Sequence, residues 1–282
     1  MVYLHLRVGT GGHFVELLNY RIYSESGTIS GKKPVMVLIH GLGGGYANWV
    51  FQVRYLKDQY DLLLIELPSH GRSKVKMSQL DLTTGAVSEK VMELLDELNI
   101  EKAIFAGLSL GTLIAKHIVL HYPERVEKYI LIGPIGKLSL LLKLVIRLAM
   151  FLLLFAPLNF VVKLACLVIM PYKSLAYGRN LFMACAQRVE RKEFIAWGKV
   201  LLSFDKIQDR YMKELKDEPD GLYILGAKDY LFLTLLRKEM KRVKNFVVIK
   251  DAGHVCNIDR YQTVNELMVQ FLEADAAVLE TV

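Results

Sequence analysis

Short, uniformly apolar segments alternate along this chain with segments of helical periodicity, and this alternation constrains its fold more than any other feature. Strands that are apolar at every position are expected where helices cover both faces of a sheet. Residues 87–98 carry apolar side chains at helical spacing, and the helical pattern at 109–121 runs into the stop signal Tyr122-Pro123. The pattern predicts an α/β fold with a doubly wound, mostly parallel sheet, and an edge hairpin between residues 2–8 and 14–23. The strands of the sheet are predicted at residues 35–40, 61–67, 103–108, 129–133, 222–226 and 246–249.

The cysteine content argues against a fold held together by covalent or metal cross-links. The 282 residues include three cysteines, which stand far apart at Cys166, Cys185 and Cys256. A disulfide framework needs paired cysteines and a structural zinc site needs clustered ligands, so we expect neither. The first residues lack the basic stretch and apolar core of a secretory signal, and we expect a cytoplasmic protein.

A long basic and apolar segment follows the fourth predicted strand. Residues 135–215 hold 13 of the 36 lysines and arginines but 5 of the 29 carboxylates, and the first of these carboxylates is Glu190. Because this segment interrupts the strand pattern, we predict a helical cap at residues 135–215, inserted into a core formed by residues 1–134 and 216–282. Its longest uncharged run, 148–162, contains a proline and is shorter than the roughly 20 apolar residues that cross a bilayer.

Two interpretations of this basic cap remain open. The simpler one is a pair of helices whose apolar sides cover a pocket. The second is a basic, apolar flap that also makes transient contact with an anionic membrane surface, which would make the protein membrane-peripheral. We expect no nucleic-acid partner, because the cations stand among leucines and not in a stripe with exposed aromatic residues. The oligomeric state is not predicted.

The segment Gly107-Leu108-Ser109-Leu110-Gly111 has the pattern G-x-S-x-G and joins a predicted strand to a predicted helix. A serine on such a sharp turn projects its hydroxyl from the edge of the sheet, and the close approach of the backbone requires small neighbours. The helix that follows directs its amide groups and the positive end of its dipole toward the same point. The pattern therefore predicts that Ser109 is a nucleophile.

A glycine-rich loop, His40 to Gly45, follows the first of the apolar strands. It lacks the lysine and Ser/Thr of a phosphate-binding loop, and its glycines do not fit the dinucleotide fingerprint. We therefore predict an oxyanion hole in which the Leu42 amide is paired with the amide of Leu110, behind the nucleophile. His40 is predicted to fix this loop through hydrogen bonds and not to act as a base.

Two further polar residues stand at the ends of predicted strands. Asp229 follows the strand at 222–226, and His254 follows the strand at 246–249 in the sequence Asp251-Ala252-Gly253-His254. A histidine beside a glycine at a strand end is poorly placed as core filler. Asp229 has one competing structural interpretation, which is to cap the helix that begins near Leu231.

Taken together, these motifs resemble those of the α/β-hydrolase superfamily over about residues 14–272. They stand in the order of that family, serine, acid, histidine. The turn at Glu66 to Ser73 is similar to the family's D-x-P-G-x-G-x-S, with Glu66 in place of Asp and Ser69 in place of Gly. The family places its acid after one of two strands. After the earlier of the two, here residues 129–133, the first carboxylate is Glu190, which lies deep in the insertion. The resemblance therefore implies a triad of Ser109, His254 and Asp229, without metal or cofactor.

The resemblance implies a serine hydrolase of the carboxylesterase or lipase type, acting through an acyl-enzyme on a small ester substrate. The leucine-rich cap favours apolar acyl or alcohol groups. A lyase is also compatible with the motifs, because residues 253–258 and the turn at Glu66 are similar to the menaquinone-pathway lyase group. Such a lyase would need inward-facing arginines, for which Arg147, Arg179 and Arg188 are candidates. An acyl-homoserine lactonase with the same triad and a binding module without catalysis stay open as well.

Overall fold

A seven-stranded sheet forms the centre of the computed structural model, which describes residues 6–8, 14–29, 31–214, 220–240 and 243–273. In space the strands of this sheet follow the order β3-β5-β4-β6-β7-β8-β9, and all neighbours are parallel except β3 and β5. A separate pair of strands, β1 and β2, is antiparallel. The strands are β1 (Leu6–Val8), β2 (Phe14–Glu16), β3 (Asn19–Tyr23), β4 (Val35–Ile39), β5 (Asp61–Glu66), β6 (Ala103–Leu108), β7 (Val126–Ile132), β8 (Gly221–Gly226) and β9 (Asn245–Ile249).

The predicted α/β fold with a mostly parallel sheet is confirmed, and β4 to β9 are the six predicted strands. The predicted edge hairpin is only partly right. Strands β1 and β2 do pair, with Leu6 opposite Glu16, whereas β3 leaves the hairpin and pairs with β5 at the edge of the main sheet. Its mixed polarity fits an antiparallel edge strand with one face exposed to solvent. Residues 2–5 lie outside the described residues.

Helices cover both faces of the sheet, which explains why its parallel strands are uniformly apolar. Along β4, Met36 and Leu38 pack on one face, and Val37 and Ile39 pack on the other. The helices are α1 (Val50–Leu56), α2 (Thr84–Glu97), α3 (Leu110–His121), α4 (Leu140–Phe155), α5 (Leu158–Ile169), α6 (Ala176–Ala186), α7 (Arg191–Ser203), α8 (Asp205–Glu214), α9 (Tyr230–Glu239), α10 (Cys256–Asp259) and α11 (Tyr261–Glu273). Helices α2 and α3 lie on the Val37 face, and α1 and α11 lie on the Met36 face.

Between β7 and β8 the described residues form five α-helices, α4 to α8, more than the pair that the sequence suggested. We keep the name cap for residues 135–215. Three of its lysines form ion pairs within the cap, Lys137 with Asp209, Lys143 with Asp205 and Lys192 with Glu190. Among the described residues, no helix combines the length and hydropathy that crossing a membrane requires. The division of the chain into core and cap stays a prediction.

Candidate active site

Ser109 occupies the sharp turn between β6 and α3. Its backbone has φ 51° and ψ −115°, a conformation that a non-glycine residue adopts at a cost. The turn leaves no room for side chains at its flanks. A Cβ on Gly111 would lie 2.2 Å from the carbonyl oxygen of Ile39, and one on Gly107 would lie 2.6 Å from the carbonyl oxygen of Gly111. The glycines of the pentapeptide are therefore required by backbone contact.

Ser109, His254 and Asp229 form one chain of hydrogen bonds. The Ser109 hydroxyl lies 2.7 Å from His254 Nε2, and His254 Nδ1 lies 2.7 Å from Asp229 Oδ2. When Nδ1 carries the proton that it donates to the carboxylate, Nε2 is free to accept the serine proton. The Asp229 side chain is fully buried and the His254 side chain is 7% exposed. This arrangement can take a proton from the serine hydroxyl.

The Asp229 side chain is directed at His254 and not at the helix that follows it. Asp229 precedes α9, but its carboxylate makes no capping hydrogen bond to that helix. Its backbone carbonyl instead accepts the Leu233 amide at 2.9 Å. The second oxygen, Oδ1, is buried without a hydrogen-bond partner among the described residues. The competing interpretation of Asp229 as a helix cap is therefore wrong.

The loop after β9 fixes the position of His254. Phe232, on α9, stacks on the imidazole with the ring centroids 4.9 Å apart. The Gly253 amide donates a hydrogen bond to Asp259 Oδ2 at 3.0 Å. Burial raises the pKa of the Asp259 carboxyl to about 6, although the Gly253 amide opposes that shift. Sequence reasoning did not single out Phe232 or Asp259, because neither belongs to a motif.

Two buried histidines shape the glycine-rich loop after β4. His40 Nε2 accepts the Leu67 amide at 3.1 Å, so its Nδ1 carries the proton and donates to the Gly41 carbonyl at 2.7 Å. His70 Nε2 accepts the Gly43 amide at 2.8 Å in the same way. Burial lowers the pKa of His40 to about 3 and that of His70 to about 4, so both rings are neutral. His40 makes a hydrogen bond to the loop, as the sequence predicted. The hydrogen bond of His70 to the same loop was not predicted.

The predicted oxyanion amides lie beside Ser109. A Cβ on Gly41 would lie 3.0 Å from the Cβ of Ser109, so the loop packs directly against the serine. Leu42 follows Gly41, and Leu110 is the first residue of α3. Among the described residues, neither the Leu42 amide nor the Leu110 amide donates to another group of the protein. Both amides are thus available to a ligand oxygen.

The turn after β5 connects the core to the cap. Ser69 has a φ of 68°, which explains why the related motif has glycine at this position. Its hydroxyl donates to Glu193 of α7 at 2.5 Å, and the Trp197 indole of the same helix donates to the Pro68 carbonyl at 3.1 Å. Glu66 also accepts the Asn19 side-chain amide at 2.6 Å. Both departures from the family motif therefore make hydrogen bonds to distant segments.

Ser109 and His254 line one cavity. Apart from these two side chains and Asn48, its walls are apolar or glycine, with Leu, Ile, Phe, Met and Val from the core and the cap. None of the three arginines that a lyase would need lines it. Arg147 and Arg188 are exposed, and Arg179 donates to the Met170 carbonyl at 2.7 Å. None of the three candidate arginines therefore faces this cavity.

Neither a metal centre nor a second nucleophile accompanies the triad in the described part of the chain. No group of three or more His, Cys, Asp or Glu side chains within it could hold a metal ion. Cys256 packs in the core on the Met36 face of the sheet, and burial raises the pKa of its thiol. A buried thiol with a raised pKa is a poor nucleophile.

Relatives of known activity match parts of this chain. The dihydrolipoyllysine-residue acetyltransferase component of the acetoin cleaving system of Pseudomonas putida is 37% identical over 101 residues, which are 36% of this chain and 27% of that protein. The pimeloyl-(acyl-carrier protein) methyl ester esterase of Vibrio campbellii is 34% identical over 109 residues, 39% of this chain and 40% of the esterase. The chain thus spans less than half the length of these curated relatives.

The similarity to solved structures extends over nearly the whole chain. MenH from S. aureus superposes with a TM-score of 0.76 at 17% identity, covering 90% of this chain and 97% of MenH. At that identity the likeness shows a shared fold. The family model described as the alpha/beta hydrolase fold matches residues 34–261, which include Ser109, Asp229 and His254. The chain therefore belongs to the α/β-hydrolase family.

Proposed function

We propose that this chain is a serine hydrolase that cleaves carboxylic esters with apolar acyl or alcohol groups. The hydrogen-bonded order of Ser109, His254 and Asp229 is the observation that carries the proposal. Ser109 attacks the acyl carbon while His254 Nε2 takes its proton, and Asp229 holds the imidazole in the tautomer that can accept it. The tetrahedral oxyanion is bound by the Leu42 and Leu110 amides, where the loss of one donor costs roughly 3 kcal/mol.

The remaining steps use the same groups. His254 returns the proton to the leaving alkoxide, so that the alcohol departs and the acyl group stays on Ser109. Water then attacks the acyl carbon, with His254 accepting a proton from the water and returning it to Ser109. The product is a carboxylic acid, and the enzyme is restored. Every proton transfer in this cycle takes place at His254 Nε2.

The walls of the cavity support the apolar substrate. A substrate with several carboxylates would leave water without finding a cation among the lining residues, and burying an unpaired charge is costly. An uncharged ester loses little on entering such a cavity. The lining therefore favours ester hydrolysis over the lyase reaction.

Hydrolysis of a p-nitrophenyl ester series from acetate to laurate tests the proposal. We expect hydrolysis that falls by about 10⁶ in kcat in Ser109→Ala, since a triad serine acts as a unit with its histidine. Ser174→Ala, at an exposed serine of the cap, is the matched control and should keep full activity. A folded native protein that is inert toward every ester would overturn the proposal. Assays for pyruvate release and for lactone opening would then test the lyase and lactonase reactions.

A further inference from the structure

A second apolar cavity, lined mostly by residues of the cap, adjoins the cavity that contains Ser109. We call it the inner cavity. One layer of apolar side chains forms part of the wall of both cavities. It consists of Leu42, Leu142, Ile146, Ile169, Phe182 and Leu201. The two spaces are therefore neighbours, and changes of rotamer in this layer can alter the boundary between them.

The inner cavity offers no hydrogen-bond partner to a ligand. Beyond the shared layer it is lined by Val, Leu, Met and Phe side chains and by the small residues Ala149, Ala165 and Gly198. None of these side chains carries a polar donor or acceptor. A polar group that entered would lose its hydrogen bonds to water without replacement, whereas an aliphatic chain would gain the free energy of burying its apolar surface. The chemistry of the lining thus selects hydrocarbon.

We propose that the inner cavity receives the aliphatic chain of a long-chain ester whose carbonyl carbon lies at Ser109. This inference rests on the proposed function, and it adds the length of the chain to the substrate class. The chain would pass from Ser109 through the shared layer, which includes Leu42 of the glycine-rich loop and Phe182 of α6. The cap then binds the part of the substrate that does not react, and that binding raises kcat/KM.

Kinetics along a chain-length series tests this inference. We expect kcat/KM to rise from p-nitrophenyl butyrate to laurate by up to about fourfold for each methylene that enters the inner cavity. A parallel series of alkyl acetates shows whether the acyl or the alcohol side carries the chain. A rise in either series supports the inference, whereas a fall in both beyond butyrate or butyl length would overturn it.

Filling the inner cavity without touching the cavity of Ser109 gives the sharper test. Ala165→Phe on α5 and Ala149→Phe on α4 do this from two different helices, so one folded variant is sufficient. We expect laurate hydrolysis to fall by about tenfold or more, the equivalent of two buried methylenes, with butyrate hydrolysis unchanged. Leu154→Phe, exposed on the same helix as Ala149 and absent from the walls of both cavities, is the control that should change neither.

The outcomes separate the two proposals. A native protein inert toward butyrate as well as laurate refutes the proposed function. A protein that hydrolyses butyrate, but whose laurate activity is unaffected in a folded Ala165→Phe or Ala149→Phe variant, refutes the inner cavity as a chain site alone.

The outer side of α4 and α5 provides an independent observation. Large apolar residues recur there at intervals of three or four and are exposed, which is unusual for a helix of a globular protein. Phe155 is 76% exposed. We call this surface the outer stripe, and its members are Leu141, Leu144, Leu148, Phe151, Phe155, Phe160, Leu164 and Leu167.

Unpaired cations accompany the outer stripe. Arg147, Lys163 and Lys173 are exposed and form no ion pair with any described residue. Neither α4 nor α5 contains a carboxylate. An apolar stripe flanked by cations is complementary to an anionic lipid surface. It is poorly suited to a second copy of the chain, because a two-fold contact would bring the same cations together with no carboxylate to offset them.

We propose that the outer stripe docks on an anionic bilayer surface. Co-sedimentation with vesicles of phosphatidylcholine, alone and mixed with phosphatidylglycerol, tests this. We expect salt-sensitive binding to the mixed vesicles that falls about fivefold for each cation replaced by Gln at Arg147, Lys163 and Lys173. Replacing Leu148, Phe151 and Leu164 with Ser should abolish binding, whereas Tyr55→Ser, an exposed apolar residue of α1, should not change it.

Two results would overturn the docking proposal. One is a native protein that stays in the supernatant with both kinds of vesicle at low salt. The second is a native protein that is dimeric by light scattering and becomes monomeric when Leu148, Phe151 and Leu164 are replaced with Ser, which would assign the outer stripe to a second copy.

Discussion

The hydroxyl of Ser69 donates a hydrogen bond to the Glu193 carboxylate at 2.5 Å and joins the turn after β5 to helix α7 of the cap. The same hydroxyl accepts the Met77 amide at 2.8 Å, and Glu193 also accepts the amide and hydroxyl of Ser78. Burial alone would raise the pKa of Glu193. The hydrogen bonds from Ser69 and Ser78 lower this pKa by more, so the net shift is downward. This turn also carries His70, so the attachment of the cap and the shape of the glycine-rich loop depend on one segment.

We predict that Ser69→Gly destabilises the protein although glycine suits the backbone there better. Relief of the positive φ gains about 1 kcal/mol. Loss of the hydroxyl leaves two buried groups short of a partner, at roughly 1–3 kcal/mol each. Urea unfolding should show a net loss of about 1–5 kcal/mol. Asn99→Gly is the matched control, since Asn99 is exposed with a φ of 54° and should lose nothing. Equal or greater stability in Ser69→Gly would contradict the prediction.

Asp229→Asn should lower kcat for p-nitrophenyl esters by about 10⁴ at neutral pH without unfolding the protein. An amide cannot hold the imidazole in the tautomer that accepts the serine proton as a carboxylate does. Steady-state kinetics would measure the change in kcat, and a thermal melt would show that the variant is folded. Asp251→Asn makes the same change in the loop before His254, on an exposed side chain paired with Lys228, and should have little effect. Similar activities in the two variants would refute the role of Asp229.

Stability should decrease as the pH falls from 6.5 to about 4, because His40 and His70 stay neutral in the native state. The unfolded histidines take up protons near pH 6.5, whereas the folded ones resist until about pH 3 and 4. Each such group lowers the unfolding free energy by about 1.4 kcal/mol per pH unit within that window. His70→Gln keeps an acceptor for the Gly43 amide and should flatten the dependence by one proton. The unfolding free energy of His70→Gln is measured with urea at several pH values. If it depends on pH as steeply as that of the native protein, the prediction is wrong.

The titration of Asp259 should change the stability of the protein with pH in the opposite direction to that of His40 and His70. Its folded pKa of about 6 lies above the unfolded value of 3.8, so the stability that it contributes is present below pH 3.8 and is lost as the pH rises through 6. Asp259→Asn keeps an oxygen for the Gly253 amide but does not titrate. We expect the variant to be more stable than the native protein well above pH 6 and equal to it near pH 4. No gain above pH 6, by urea unfolding, would refute this.

The parts of the site that could be predicted are those fixed by local sequence. The small neighbours of Ser109 and the strand before it define a turn, and Asp229 and His254 each follow an apolar strand. The carboxyl ends of parallel strands meet at one edge of the sheet, so three residues far apart in the chain converge there. Periodicity therefore indicated the fold and the strand ends, whereas the resemblance to the α/β-hydrolase family assigned the three residues to one triad.

The parts that could not be predicted depend on packing between distant segments. Glu193 meets Ser69 across 124 positions of the chain, and no local pattern marks either as a partner. His70 belongs to a turn motif that gives no sign of the hydrogen bond its ring accepts from the Gly43 amide. The direction in which Arg147 and Arg179 point also depends on how the cap helices pack, which the leucine-rich periodicity leaves open.

Leu42 lines both cavities with its side chain, and its amide is a proposed oxyanion donor. A substitution at this position that adapts the protein to a different chain would therefore also move a group that stabilises the transition state. Divergence toward new substrates should then proceed through Ala149, Ala165 and Gly198, which line the inner cavity alone. Laboratory evolution for a changed chain length should accumulate its mutations at those small residues and leave Leu42 untouched.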